Sequence, residues 1–323
     1  MRPFDPLFTN PHVLTILANF WPRKYDWSRF PMENRLIQTD ADTQVLVQTQ
    51  HPEGSPIGEV VLVHGLEGGG DAGYIVSMAW HALHAGFVVH RFHMRTCGGT
   101  AQLCKTLYHA GLTSDLRVFL ESLRREHPVF LVGFSLGANV SVKLAGELGE
   151  TDLIHAVCGI STPLDLAAGV RRLGKLDNRL YERRFLKRMR QRVFATGRYA
   201  WNDLKTARTL YAIDDKITAP SFGFEGADHY YATQSCQNVL ARIRVPTLLI
   251  QAKDDTYIPF EIFSHPAIEA NPHIRLLATE HGGHLGFLNR TGQRFWLDEA
   301  AIHFLKGVVV GEGLPQPQLL PES

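Results

Sequence analysis

One serine in this 323-residue chain stands where a nucleophile could be made: Ser135, in the run Gly133-Phe134-Ser135-Leu136-Gly137. An alcohol is a weak nucleophile at neutral pH, so it needs a base within hydrogen-bond reach and a third group to orient that base. Five residues are too short a pattern to carry the assignment, and the flanks decide it. Pro128 to Val132 is an apolar run suited to a buried strand, and beyond Gly137 small and apolar residues recur at helical spacing as far as Leu148. Strand, sharp turn and helix together hold a serine at the tip of a strained elbow, and a glycine on each side lets the two backbone arms approach.

An acid and a base follow in the order Ser…Asp…His. Asp255 lies just past a late apolar strand, Pro246–Ala252, with Pro259 four residues on. It is chosen over its neighbour Asp254 because one of two adjacent loop aspartates commonly caps a turn. His284, in His281-Gly282-Gly283-His284, is chosen over His281 because the paired glycines permit a tight loop that brings an imidazole back over the elbow. The oxyanion of an acyl-transfer intermediate needs two backbone N–H donors. Leu136, next after the serine, and Leu66, in the glycine-rich turn Gly65–Gly70, hold those places. This chemistry calls for no metal and no organic cofactor.

The elements that must position these residues alternate. Arg35–Thr39 and Val45–Gln50 read as a hairpin around Asp40-Ala41-Asp42, and Glu59–His64 as a strand running into the glycine turn. A helix over Ala72–Ala85, a strand at Phe87–Phe92, a helix near Thr113–Arg125, the elbow, and a strand at Ala156–Ser161 come next. After a long break the sheet resumes at Pro246–Ala252 and Ile274–Thr279, and a helix over Arg294–Leu305 closes it. Strands alternating with helices predict an α/β fold with a mostly parallel central sheet flanked by helices. The expected division is a 1–32 arm packing on the core, a core of 33–162 and 243–310, a helical cap insertion at 163–242, and a flexible tail at 311–323. A phosphate-cradling role for Gly65–Gly70 is the weaker reading, because the spacing is not G-x-G-x-x-G and no acidic residue closes Phe87–Phe92.

Composition narrows the partners. A formal net charge of +1 gives no global argument for nucleic acid, and the apolar patch Val13–Phe20 is too short to span a bilayer. Four cysteines without metal-ligand spacing fit a reducing, cytoplasmic setting. Between Arg171 and Arg198 eleven Arg or Lys stand against Asp177 and Glu182 alone. Such runs are usually solvated helical faces; the sharper alternative is peripheral contact with anionic lipid or phosphate-bearing substrates.

Taken together, several pieces resemble the YheT-like branch of the α/β-hydrolases. They are Asn10-Pro11-His12, His64-Gly65-Leu66-Glu67-Gly68, Arg95-Thr96-Cys97-Gly98-Gly99, the serine elbow, Asp228-His229-Tyr230-Tyr231, Asp254-Asp255 and His281-Gly282-Gly283-His284-Leu285-Gly286-Phe287. The resemblance spans nearly the whole chain and implies a Ser135, Asp255, His284 triad acting on acyl esters. Thr96 departs from it, standing where glycine is expected. Serine ester hydrolysis leads, therefore, with a small acyl ester as substrate. Acyl transfer to an alcohol and a non-catalytic lipid-binding protein on the same fold are the alternatives.

Overall fold

The computed structural model describes residues 2–312. Its centre is an eight-stranded sheet in the order β1-β2-β4-β3-β5-β6-β7-β8. The strands are β1 (Glu33–Asp40), β2 (Thr43–Gln50), β3 (Gly58–Val63), β4 (Phe87–Phe92), β5 (Val129–Phe134), β6 (Ala156–Ile160), β7 (Thr247–Ala252) and β8 (Ile274–Thr279). Antiparallel pairing sets β2 against both β1 and β4, and every other neighbouring pair is parallel.

The central strands read as unbroken apolar runs because both of their faces are covered. Along β3, Val61 and Val63 enter one core cluster while Val60 and Leu62 enter the other, on the opposite face. Phe130, Val132 and Phe134 of β5 join the second cluster, and Val129 and Leu131 the first. The side-chain period of two thus splits each run between two layers of helices. Helices α1 (Pro11–Phe20), α2 (Gly73–His84), α3 (Ser114–Glu121) and α4 (Leu136–Leu148) precede the break in the sheet.

Between β6 and β7, residues 163–242 contribute helices and no strand. Two of these helices matter below: α5 (Leu166–Leu173) and the arginine-rich α6 (Arg179–Ala195). The helix near Thr113–Arg125 is shorter than its sequence suggests. It stops at Glu121, where the Ser122 hydroxyl donates to Phe119 O at 2.6 Å, and Arg125 turns to a φ of +57°. The last helix runs Trp296–Val309, starting later because Phe295 bridges back to Leu288. From residue 313 on, the expected flexible tail lies outside the described residues. Among the described residues, no helix is long and apolar enough to cross a membrane.

Candidate active site

Ser135 sits between β5 and α4 with φ 53° and ψ −120°, a conformation an L-residue adopts only when its surroundings enforce it. Two glycines allow the enforcement. A Cβ on Gly133 would stand 2.5 Å from Gly137 O, and one on Gly137 would run into the carbonyls of Val63 and His64 at the end of β3. Ser135 N–H meanwhile donates to Ile160 O of β6 at 2.8 Å, tying the tip of the turn to the neighbouring strand.

His284 Nε2 lies 2.9 Å from Ser135 Oγ, and His284 Nδ1 lies 3.1 Å from each carboxylate oxygen of Asp255. These three side chains, 149 and 29 residues apart in sequence, therefore form one hydrogen-bonded chain. Asp255 is locked by its own loop: Oδ1 accepts from the amides of Tyr257 at 2.8 Å and Ile258 at 3.1 Å, and Oδ2 from Gln251 Nε2 at 3.1 Å. Its side chain is 0% exposed, so the imidazole meets a carboxylate that cannot swing to solvent. Asp254 points elsewhere. It takes the Gly283 amide at 2.8 Å and contacts His281 Nδ1 at 3.1 Å, bracing the loop that carries His284.

Two contacts on His284 were invisible in the sequence. Thr15 of α1 accepts the His284 backbone N–H through Oγ1 at 2.9 Å, across 269 residues, so the N-terminal arm helps to seat the histidine. Tyr257 packs on the ring with centroids 4.2 Å apart, and burial pushes its phenol pKa well up, so it stays a neutral apolar wall.

The turn bearing Leu66 is fixed from both ends. Fully buried His64 lies with Nδ1 2.8 Å from Gly65 O and Nε2 3.2 Å from the Met94 N–H, and burial lowers its pKa to about 3. A neutral ring donating from Nδ1 and accepting at Nε2 satisfies both contacts. On the far side Glu67, at φ +54°, accepts from Arg192 of α6 at 2.8 Å. Arg192 also donates to Thr96 Oγ1 at 2.8 Å and lies over the Tyr108 ring at 4.4 Å. Burial alone would lower the Arg192 pKa; the adjoining Glu67 carboxylate more than reverses that, so the guanidinium remains charged. Thr96 keeps the left-handed φ of +64° that a glycine would take, and its hydroxyl donates to Arg95 O at 2.5 Å.

This buried ion pair yields a stability prediction. Arg192→Met is expected to cost about 3 kcal/mol in a urea titration, because it strands a buried carboxylate. The double variant Arg192→Met, Glu67→Leu should recover part of the loss. A single variant as stable as the parent would show that the pair does not hold α6 to the turn.

Leu66 and Leu136 both border Ser135 in one cavity. The Leu136 amide is the first of α4, and the first four amides of a helix have no acceptor within it. The cavity wall is largely apolar, with Leu166 and Leu173 of α5, Met189 of α6, and Pro163. Among the described residues, no three His, Cys, Asp or Glu side chains cluster as a metal set would.

An alpha/beta hydrolase fold profile matches residues 59–291, well over half of the chain. The chain belongs to the α/β-hydrolase family. It is 31% identical to YheT of Escherichia coli (strain K12), named as a candidate esterase, over 90% of this chain and 88% of that protein, which places it in the YheT-like branch. It is also 27% identical to medium-chain fatty acid ethyl ester synthase/esterase 2 of Saccharomyces cerevisiae (strain ATCC 204508 / S288c), over 88% of this chain and 67% of that one. Among solved structures, an esterase of Pyrococcus furiosus superposes with a TM-score of 0.58 at 18% identity, covering 95% of this chain and 98% of its own, a likeness of fold.

Proposed function

We propose that this α/β-hydrolase is a serine carboxylic-ester hydrolase that works through an acyl-enzyme on Ser135. The observation that carries the reading is the unbroken chain Ser135–His284–Asp255 at the mouth of an apolar cavity. Ser135 Oγ attacks the ester carbonyl while His284 Nε2 takes its proton. Asp255 holds the tautomer with hydrogen on Nδ1 and stabilises the imidazolium that forms. The amides of Leu66 and Leu136 receive the oxyanion. Collapse of the intermediate breaks the C–O bond, and His284 returns the proton to the departing alkoxide. A water, deprotonated by the same nitrogen, then releases the carboxylic acid and restores Ser135. The helical segment 163–242 serves as the lid whose α5 and α6 wall the acyl group.

Apolar walls imply selection by acyl length. Each methylene buried is worth about 0.8 kcal/mol, or roughly fourfold in kcat/KM. Across p-nitrophenyl esters, kcat/KM is therefore expected to climb from acetate to a medium chain and then fall. Leu173→Trp, by filling the cavity, should move the maximum to a shorter chain. A flat profile in both proteins would contradict the assignment of this cavity to the acyl group. The yeast relative's name, which joins synthase to esterase, supports transfer to an alcohol as a second reading. Partition of a labelled acyl group between water and ethanol decides between the two.

A further inference from the structure

A second cleft meets the apolar cavity at Ser135, Leu66, Phe185 and Tyr257. An ester has two sides. With the acyl chain in the apolar cavity, the alcohol portion is left facing this second cleft, and the chemistry of its wall is different. Arg23, from the segment after α1, and Arg184 and Arg188, one turn apart on α6, all border it.

The arginines of the basic segment divide by what they touch. Arg172 pairs with Asp177 at 2.7 Å, Arg192 with Glu67 at 2.8 Å, and Arg190 and Arg198 donate to the carbonyls of Ala207 and Cys104. Among the described residues the side chains of Arg171, Arg179, Arg183, Arg184 and Arg188 make no ion pair or hydrogen bond, and of these five only Arg184, which rests over the Phe20 ring at 5.3 Å, and Arg188 border the cleft. Like charges four residues apart on a helix oppose each other by a few tenths of a kcal/mol. Arg23 is held in place by donating to Ala18 O at 2.8 Å, and its buried Nε has no partner. Of the two carboxylates in the cleft, Glu67 is paired with Arg192, so Asp71 stands alone against the three guanidinium groups of Arg23, Arg184 and Arg188. Positive charge is thus left facing the alcohol side of the scissile bond.

We infer that this cleft is a subsite for an anionic alcohol portion, so that the preferred substrate is an acyl ester whose alcohol bears a phosphate or carboxylate. The inference rests on the serine-esterase reading. Guanidinium groups suit such oxygens because they can offer paired N–H donors. It also gives the basic segment of the lid a role at the level of a single substrate molecule, without any membrane.

The test compares matched substrates below their aggregation limits. Octanoylglycerol phosphate against octanoylglycerol probes a phosphate; octanoyl-lactate against octanoyl-lactamide probes a carboxylate. The anionic member is expected to show a kcat/KM about tenfold higher, mainly through KM, and the ratio should shrink as salt is raised. In Arg184→Gln, Arg188→Gln it should fall towards one. Which pair shows the larger ratio tells phosphate from carboxylate. Equal constants for both pairs in the parent protein overturn the subsite while leaving the esterase reading intact. No turnover of any of the four, together with failure of a neutral fluorophosphonate to label Ser135, overturns both.

Discussion

Ser135→Ala is expected to lower kcat/KM on a p-nitrophenyl ester by at least about 10⁴-fold, with the protein still folded. The residue lies at the surface of the cavity, and alanine accepts its backbone setting no worse than serine does, so stability should change little. What disappears is the proposed nucleophile. Some acceleration over water should survive, because the Leu66 and Leu136 amides and the acyl cavity remain. His284→Ala should cost about as much. The double variant should cost no more than either single one, since the two act as a unit. Multiplicative losses would mean that the two side chains serve different steps.

A second large effect separates two neighbouring residues. Asp255→Asn is expected to reduce kcat by about 10⁴-fold, because an amide facing His284 Nδ1 can stabilise the wrong tautomer and cannot balance an imidazolium. Asp254→Asn, which loses charge on contacts to Gly283 and His281, should cost about tenfold or less, the scale of one hydrogen bond. Steady-state kinetics on the two variants decide the matter. Comparable losses would show that the loop, rather than the Asp255 carboxylate itself, is what the site needs.

Much of this arrangement could be read from the sequence, for a physical reason. Strands such as Glu59–His64 and Pro128–Val132 are covered on both faces, so burial writes itself as a nearly continuous apolar run that ends at a glycine. The elbow is similarly legible, since only glycine fits where Gly137 passes the end of β3. What stayed hidden depends on contacts distant in sequence. Nothing about Thr15 marks it as the acceptor for the His284 amide, because that meeting exists only once the arm has folded over the last loop. Arg192 was one cation among eleven, and a charge run ordinarily faces water. Its side chain is 8% exposed because Glu67, in the turn beside Leu66, supplies a buried counter-charge. Thr96 shows the converse: a residue that breaks the expected pattern holds the same left-handed backbone, with its hydroxyl anchored by Arg95 O and Arg192.

The central claim is that Ser135 is activated by His284. Reaction with a fluorophosphonate, read by intact mass and peptide mapping, tests it directly. One adduct is predicted, on the peptide containing Ser135, absent in Ser135→Ala and formed far more slowly in His284→Ala. An adduct that persists in Ser135→Ala, or labelling whose rate is unaffected by His284→Ala, would contradict it.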